Sequence, residues 1–161
     1  MLPGETWLEL GSGAGAFTLA LAELLGRGGM IHSIDTDRDA LASQATAIRA
    51  HDGGVRLDQR AADFTRPLGF SGMHGVLMAN SLHFVRDKAP VLALVRSYLA
   101  PGGRFVLVEY DADRGNHWVP HPISYTTWLA VAPAAGFNGA RLLGRVPSRF
   151  LNAIYASVAT I

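Results

Sequence analysis

The sequence predicts an α/β fold: a seven-stranded, mostly parallel sheet with helices on both faces and the last strand antiparallel. Three observations predict it. Short apolar runs with strand character alternate with longer stretches at helical spacing, the pattern of βαβ units. One run, Gly75-Val76-Leu77-Met78-Ala79, is apolar at every position, as a strand buried on both faces of a parallel sheet must be. A polar residue also closes one run after another: Glu9, Asp35, Asp63, Asn80 and Glu109. Right-handed crossovers bring the carboxyl ends of parallel strands to one edge, and ligands bind at that edge.

The first strand is expected at 6–10, with only 1–5 before it. Apolar residues recur at helical spacing over 14–25, and Gly26-Arg27-Gly28-Gly29 closes that helix. A second strand covers 30–34 and ends at Asp35. The next helix covers 37–50, with Thr36 or Asp37 placed to cap it and Leu41 and Ile48 facing inward. His51-Asp52-Gly53-Gly54 is a turn, and 55–61 a third strand. After an irregular stretch over 65–72 comes the apolar strand at 75–79. A helix over 87–99 tolerates Pro90 in its first turn, and Ala100-Pro101-Gly102-Gly103 stops it. The fifth strand is expected at 104–109. A polar loop over 110–122 leads to a helix over 123–135, weakened by Pro133. Strands at 140–146 and 150–156, separated by a short turn, form an antiparallel pair.

With 161 residues the chain is expected to be one domain, 1–161. The formal charge is +1, and the basic residues are scattered, so no nucleic-acid footprint is present. No run approaches the roughly 18 apolar residues of a membrane span, and no signal peptide is visible. Cysteine is absent, which excludes disulfides and thiolate metal sites and agrees with a reducing, cytoplasmic setting. His83, His117 and His121 match no metal-ligand spacing, so no metal is expected.

The organising stretch is Glu9-Leu10-Gly11-Ser12-Gly13-Ala14-Gly15, between the first strand and the first helix. Glycines allow close backbone approach and positive φ, and the free N–H groups of the helix start favour an anionic group. Two cofactors fit such a loop. Gly11, Gly13 and Ala16 make a G-x-G-x-x-A dinucleotide pattern, with Asp35 about 20 residues on where a ribose-binding acid belongs. The acid two residues before Gly11, and the third glycine at 15, instead resemble motif I of class I S-adenosylmethionine-dependent methyltransferases. Ile34-Asp35-Thr36-Asp37, Ala62-Asp63-Phe64, the run from Gly75 to Phe84 with its Asn80-Ser81-Leu82-His83, and Leu99-Ala100-Pro101-Gly102-Gly103 resemble later segments of that family. The Asn-x-Leu-His pattern is similar to its quinone-biosynthesis and small-molecule branch.

The resemblance implies a Rossmann-like fold, S-adenosylmethionine as cofactor and a small-molecule methyl acceptor. It implies cofactor contacts from Glu9, Gly11, Ser12, Gly13, Gly15, Asp35, Thr36, Asp63, Phe64, Asn80 and Ser81: Asp35 on the ribose hydroxyls, Asp63 on the adenine amine. It places the loop and helix after the fifth strand, with His117, His121, Tyr125 and Trp128, over the cofactor edge. The absence of lysine near the loop agrees with a ligand that lacks phosphate.

Methyl transfer needs alignment and exclusion of water more than acid–base chemistry; a base is useful when the acceptor must lose a proton. His83 and His117 are the candidates. Glu109 reads as an exposed strand-end acid, the Trp and Leu at helical spacing as core, and His32 and His51 as surface groups. Family members usually carry helices before the first strand that close over the cofactor. The short lead here therefore implies an open acceptor site, a homodimer or partner chain that covers it, or a true start that lies upstream. A non-catalytic methyltransferase-like binding module and an NAD(P)-dependent oxidoreductase are the alternative functions.

Overall fold

The computed structural model describes residues 3–51 and 53–161. Met1 and Leu2 of the expected lead, and Asp52 of the expected turn, lie outside the described residues. The elements run β1 (Thr6–Leu10), α1 (Ala16–Leu25), β2 (Met30–Asp35), α2 (Arg38–Ala50), β3 (Arg56–Ala61), β4 (Met73–Ala79), a single 3₁₀ turn (Leu82–Phe84), α3 (Ala89–Tyr98), β5 (Leu99–Tyr110), α4 (Tyr125–Val131), β6 (Asn138–Pro147) and β7 (Ala153–Thr160).

One seven-stranded sheet forms in the order β3-β2-β1-β4-β5-β7-β6. Strands β1 to β5 are parallel, and β7 runs antiparallel to both of its neighbours. The strand order reverses between β1 and β4. A cleft lies at the carboxyl ends of the strands there, the usual ligand position in open α/β sheets.

Alternation within the strands builds two cores, one on each face. Leu8, Leu10, Val76, Met78, Phe105 and Leu107 point to the face covered by α3 and α4, where Val91, Leu92, Val95, Trp128 and Phe137 fill the space. Trp7, Ile31, Leu77, Ala79 and Val108 point to the other face and meet Leu21, Ala22, Leu25 and Ile48 of α1 and α2. This double burial explains why β4 is apolar at almost every position.

Several element ends differ from expectation. Strand β5 begins at Leu99 rather than 104 because Leu99 pairs with Met73, and the Pro101-Gly102-Gly103 bend then interrupts the register before Gly75 pairs with Arg104. Helix α3 is accordingly shorter than 87–99 and ends at Tyr98. Helix α4 stops at Val131, two residues before Pro133, whose ring cannot continue it. Strand β7 starts at Ala153 and extends to Thr160 because its length is set by partners on both sides, from Tyr110↔Ile154 to Arg104↔Thr160. Trp7 and Trp128 are core, but Trp118 is 70% exposed. His32 is half-buried and pairs with Asp58 at 2.9 Å.

Candidate active site

The glycine loop follows β1 and enters α1. Gly11 has φ +75°, and a Cβ there would lie 2.4 Å from Ser81 Cβ. Only glycine lets the loop pass this close to the end of β4, where the Ser81 hydroxyl donates to the Leu10 carbonyl at 2.7 Å. Gly15, at φ +93°, is the N-cap of α1 and offers no side-chain cap, so the first N–H groups of the helix have no side-chain acceptor at that position.

The two strand-end acids are held differently. Asp35 Oδ2 accepts from the Gly13 N–H at 2.7 Å, and its Oδ1 from the Asp37 N–H at 2.9 Å, which ties the end of β2 to the glycine loop. Asp63 accepts the Thr65 hydroxyl and N–H at Oδ1, at 2.7 and 2.8 Å. Those bonds hold its carboxyl below the usual range. Its other oxygen makes no hydrogen bond among the described residues. Asn80 sits in left-handed backbone, φ +53°, and its buried Oδ1 lacks a partner among the described residues. An orphaned buried acceptor at the crevice suits a ligand donor.

Glu9 lies beneath the loop rather than in the crevice. It is 1% exposed and accepts the Thr18 hydroxyl at 2.5 Å. Burial pushes its carboxyl up from 4.5 to about 7, with the Thr18 bond opposing and the Asp35 charge adding to the rise. Ser12 is also buried, and its hydroxyl meets that of Ser33 at 2.7 Å.

Past β4, His83 and Glu109 form a buried pair. The Glu109 side chain is fully buried and accepts the His83 backbone N–H at 2.9 Å, the Tyr110 N–H at 2.7 Å and His83 Nδ1 at 3.0 Å. A carboxylate can only accept, so Nδ1 carries a proton and Nε2 is turned away from Glu109. Nε2 makes no hydrogen bond among the described residues. Packing fixes the ring further, with Phe84 at 4.3 Å and Tyr110 edge-on at 5.4 Å between centroids. The His83 carbonyl accepts the His121 N–H at 3.0 Å, and Lys88 Nζ bridges the Val85 and His121 carbonyls at 2.9 and 2.7 Å. Burial holds the Lys88 ammonium below its usual range.

A cleft of about 410 Å³ opens at the strand-order reversal. Of the sequence-predicted residues, Gly11, Gly13, Asp35, Thr36, Asp63, Phe64, Asn80 and Ser81 line it, joined by Thr65, Phe84 and Val85. Glu9, Ser12 and Gly15 support it from beneath, and His83 is flanked in sequence by its lining residues Ser81 and Phe84. His117 stands apart on the loop after β5, exposed, with its ring 5.4 Å from Trp118. Glu109 is the residue sequence reasoning misjudged: it is buried, not exposed. Its position after Val106-Leu107-Val108, level with Asn80 at the sheet edge, was the available signal. A larger cleft of about 680 Å³ between α3 and α4 contains none of the predicted cofactor residues.

No lysine or arginine lines the 410 Å³ cleft. Among the described residues no cluster of metal-binding side chains occurs. The cleft thus suits a ligand with hydroxyls and an amine to donate, and with no diphosphate to neutralise. S-adenosylmethionine is such a ligand, and the fold is that of the S-adenosylmethionine-dependent methyltransferases. In sequence, residues 8–105 match the family described as methyltransferase domain, and the chain belongs to that family.

Among curated relatives, a highly reducing polyketide synthase of Leptosphaeria maculans is 28% identical over 116 residues, covering 66% of this chain and 5% of that protein. This chain spans a third or less of the curated relatives it matches. Among solved structures, the CurJ carbon methyltransferase superposes with a TM-score of 0.79 at 21% identity, over 98% of this chain and 48% of that one. A 1,6-didemethyltoxoflavin N1-methyltransferase of Burkholderia thailandensis, solved with its acceptor and S-adenosylhomocysteine, superposes with a TM-score of 0.78 at 20% identity, over 98% and 71%. These likenesses establish the fold.

Proposed function

We propose that this chain transfers the methyl group of S-adenosylmethionine to a small molecule that must give up a proton, with His83 as the base. The observation that carries this reading is the buried His83–Glu109 pair, which fixes the ring through Nδ1, leaves Nε2 without a hydrogen bond among the described residues, and lies next in the chain to the cleft-lining Phe84. A carboxylate in this position orients the ring and stabilises the imidazolium that forms. When bound, the cofactor supplies a sulfonium methyl and leaves as a neutral thioether.

The chain's own residues divide the binding. Gly11, Ser12, Gly13 and Gly15, with Glu9 beneath them, hold the methionine end. Asp35 and Thr36 take the ribose hydroxyls, Asp63 and Phe64 the adenine, and Asn80 and Ser81 form the floor next to His83. The open oxygen of Asp63 and the orphaned Oδ1 of Asn80 support these roles. His117 belongs to the acceptor mouth, as a second and weaker candidate for proton transfer.

The likeness to a carbon methyltransferase, and the relative that is a polyketide synthase, support a carbon acid as acceptor, a C–H flanked by carbonyl groups. Such a carbon reacts only after deprotonation, the task His83 is built for. Phe84, Trp118 and Phe150 are 64%, 70% and 60% exposed, and Asn116 Nδ2 binds the Phe150 carbonyl at 2.9 Å. These exposed rings support a cover supplied by a second copy or a partner chain. Among the described residues no helix is long and apolar enough to cross a membrane, and a cysteine-free chain fits the cytoplasm.

The test is methyl transfer from labelled S-adenosylmethionine to an acetoacetyl thioester. Wild type is expected to methylate the carbon between the carbonyls, and His83→Gln and Glu109→Gln to lose about 10²-fold or more in turnover while binding S-adenosylhomocysteine normally. Unchanged turnover in His83→Gln would contradict the assignment of the base.

A further inference from the structure

Beneath the glycine loop lies a hydrogen-bonded chain of polar side chains with Gln44 of α2 as its hub. Helix α2 buries Leu41, Gln44 and Ile48, so an amide occupies a position on a stripe that otherwise faces the core. Gln44 Nε2 donates to Thr18 Oγ1 at 2.7 Å, and the Thr18 hydroxyl donates to Glu9 Oε2 at 2.5 Å. On its other side, Gln44 Oε1 accepts from Ser33 Oγ at 2.9 Å and from Gln59 Nε2 at 2.5 Å, while Ser33 Oγ lies 2.7 Å from Ser12 Oγ. Gln44, Thr18 and Ser33 have no solvent exposure.

Gln59 Nε2 also donates to the Leu41 carbonyl at 2.7 Å, which sets the Gln59 amide and, across from it, Gln44 Oε1 as the acceptor. An amide oxygen accepts and never donates, so Ser33 spends its single proton on Gln44 Oε1 and Ser12 must donate to Ser33. The hydrogen-bonded chain therefore runs Ser12 to Ser33 to Gln44 on one side and Gln44 to Thr18 to Glu9 on the other. Ser12 belongs to the loop itself, and Glu9 to the strand end below it. Gln44 also packs directly against the loop: a Cβ at Gly15 would lie 2.5 Å from Gln44 Cγ and 3.0 Å from its Cβ. One side chain thus braces both ends of the loop and orders the donor on the buried carboxylate.

We propose that Gln44 is a positioning residue for the cofactor, setting affinity by bracing Gly15 and by orienting the Thr18 hydroxyl onto the Glu9 carboxyl beneath the ammonium-bearing end of the ligand. The inference rests on the proposed function. Its physical basis is that, among the described residues, no cation bonds to Glu9. The charged group that faces it is Asp35 from the end of β2, which opposes ionisation. Helix α1 contributes the Thr18 hydroxyl, and α2, β2 and β3 contribute the neutral groups of Gln44, Ser33 and Gln59. The Thr18 bond is the contact that favours the charged form, and Gln44 orients it. An apolar side chain at position 44 would fill the space but remove a hydrogen-bond partner from Thr18, Ser33 and Gln59 and leave the loop without this control.

The probe is S-adenosylhomocysteine, titrated calorimetrically against the intact chain between pH 5.5 and 8.5. Wild-type affinity is expected to rise with pH as Glu9 ionises. Thr18→Val is expected to move that rise to higher pH and to weaken binding at pH 7 by about tenfold, the order of one charge-assisted hydrogen bond. Thr18→Ser is expected to restore the wild-type profile, and Gln44→Met to match Thr18→Val. Should Gln44→Met fail to fold, the Thr18 pair decides. Folded Thr18→Val with wild-type affinity and an unmoved pH profile overturns the inference and leaves the proposed function standing. Wild type that binds no S-adenosylhomocysteine at millimolar concentration overturns both.

Discussion

Glu9 and Glu109 are both buried strand-end acids, and their surroundings give them opposite characters. Glu109 accepts two backbone N–H groups and a ring N–H. Glu9 has a single hydroxyl and a neighbouring Asp35, and burial carries its carboxyl up to about 7. Its folded value lies above its ordinary one. Its contribution to stability is therefore complete below about pH 4.5 and is lost as pH rises through about 7, a change on the order of 3 kcal/mol. Glu9→Gln is accordingly expected to unfold at higher denaturant concentration than wild type at pH 8 and at a similar one at pH 5. Parallel pH dependences of the two proteins would contradict this. The sequence shows both acids at strand ends, but not which one finds donors. Glu109 depends on His83, 26 residues away in the chain, and such a partner becomes visible only when the two strand ends are brought together.

At the scale of elements, the β1–α1 loop and α2 are fitted to one another. Asp37 caps α2 by accepting from Asp39 and Ala40 N–H groups at 2.9 and 3.0 Å. Asp37→Ala should cost about 1 kcal/mol in a denaturation midpoint without changing S-adenosylhomocysteine affinity, since Asp37 meets Asp35 through its backbone N–H. Gly11→Ala has the reverse pattern. Its Cβ would meet Ser81 at 2.4 Å in a left-handed backbone. The loop must shift, and binding should fall by more than about tenfold, whatever the fold loses. The start of α2 was legible because a cap is a local signal. The start of β5 was not: Pro101-Gly102-Gly103 reads as a stop, yet sheet pairing of Leu99 with Met73 carries the strand through it. The brace from Gln44 was equally hidden, because a glutamine on a helix reads as solvent-facing until Thr18, Ser33 and Gln59 surround it.

For the whole molecule, the central fact is the reversal of strand order between β1 and β4. It gathers Gly11, Asp35, Asp63 and Asn80, residues spread over 70 positions, onto the walls of one cleft. The alternation of elements made a common edge legible in the sequence. The strand order itself was not, since side-chain periodicity reports which face a residue occupies and not which strand lies beside it. The family match over residues 8–105 favours S-adenosylmethionine over the dinucleotide that the glycine loop alone also admits, and the cleft lining, with no lysine or arginine among the described residues, agrees with it. The most direct test of this account is therefore a competition: titrate the chain with S-adenosylhomocysteine, then with NADH, and repeat with Asp35→Ala. Saturable one-to-one binding of S-adenosylhomocysteine, undisturbed by millimolar NADH and weakened in Asp35→Ala, is the predicted result. Displacement by NADH, or no binding at millimolar S-adenosylhomocysteine, would contradict it.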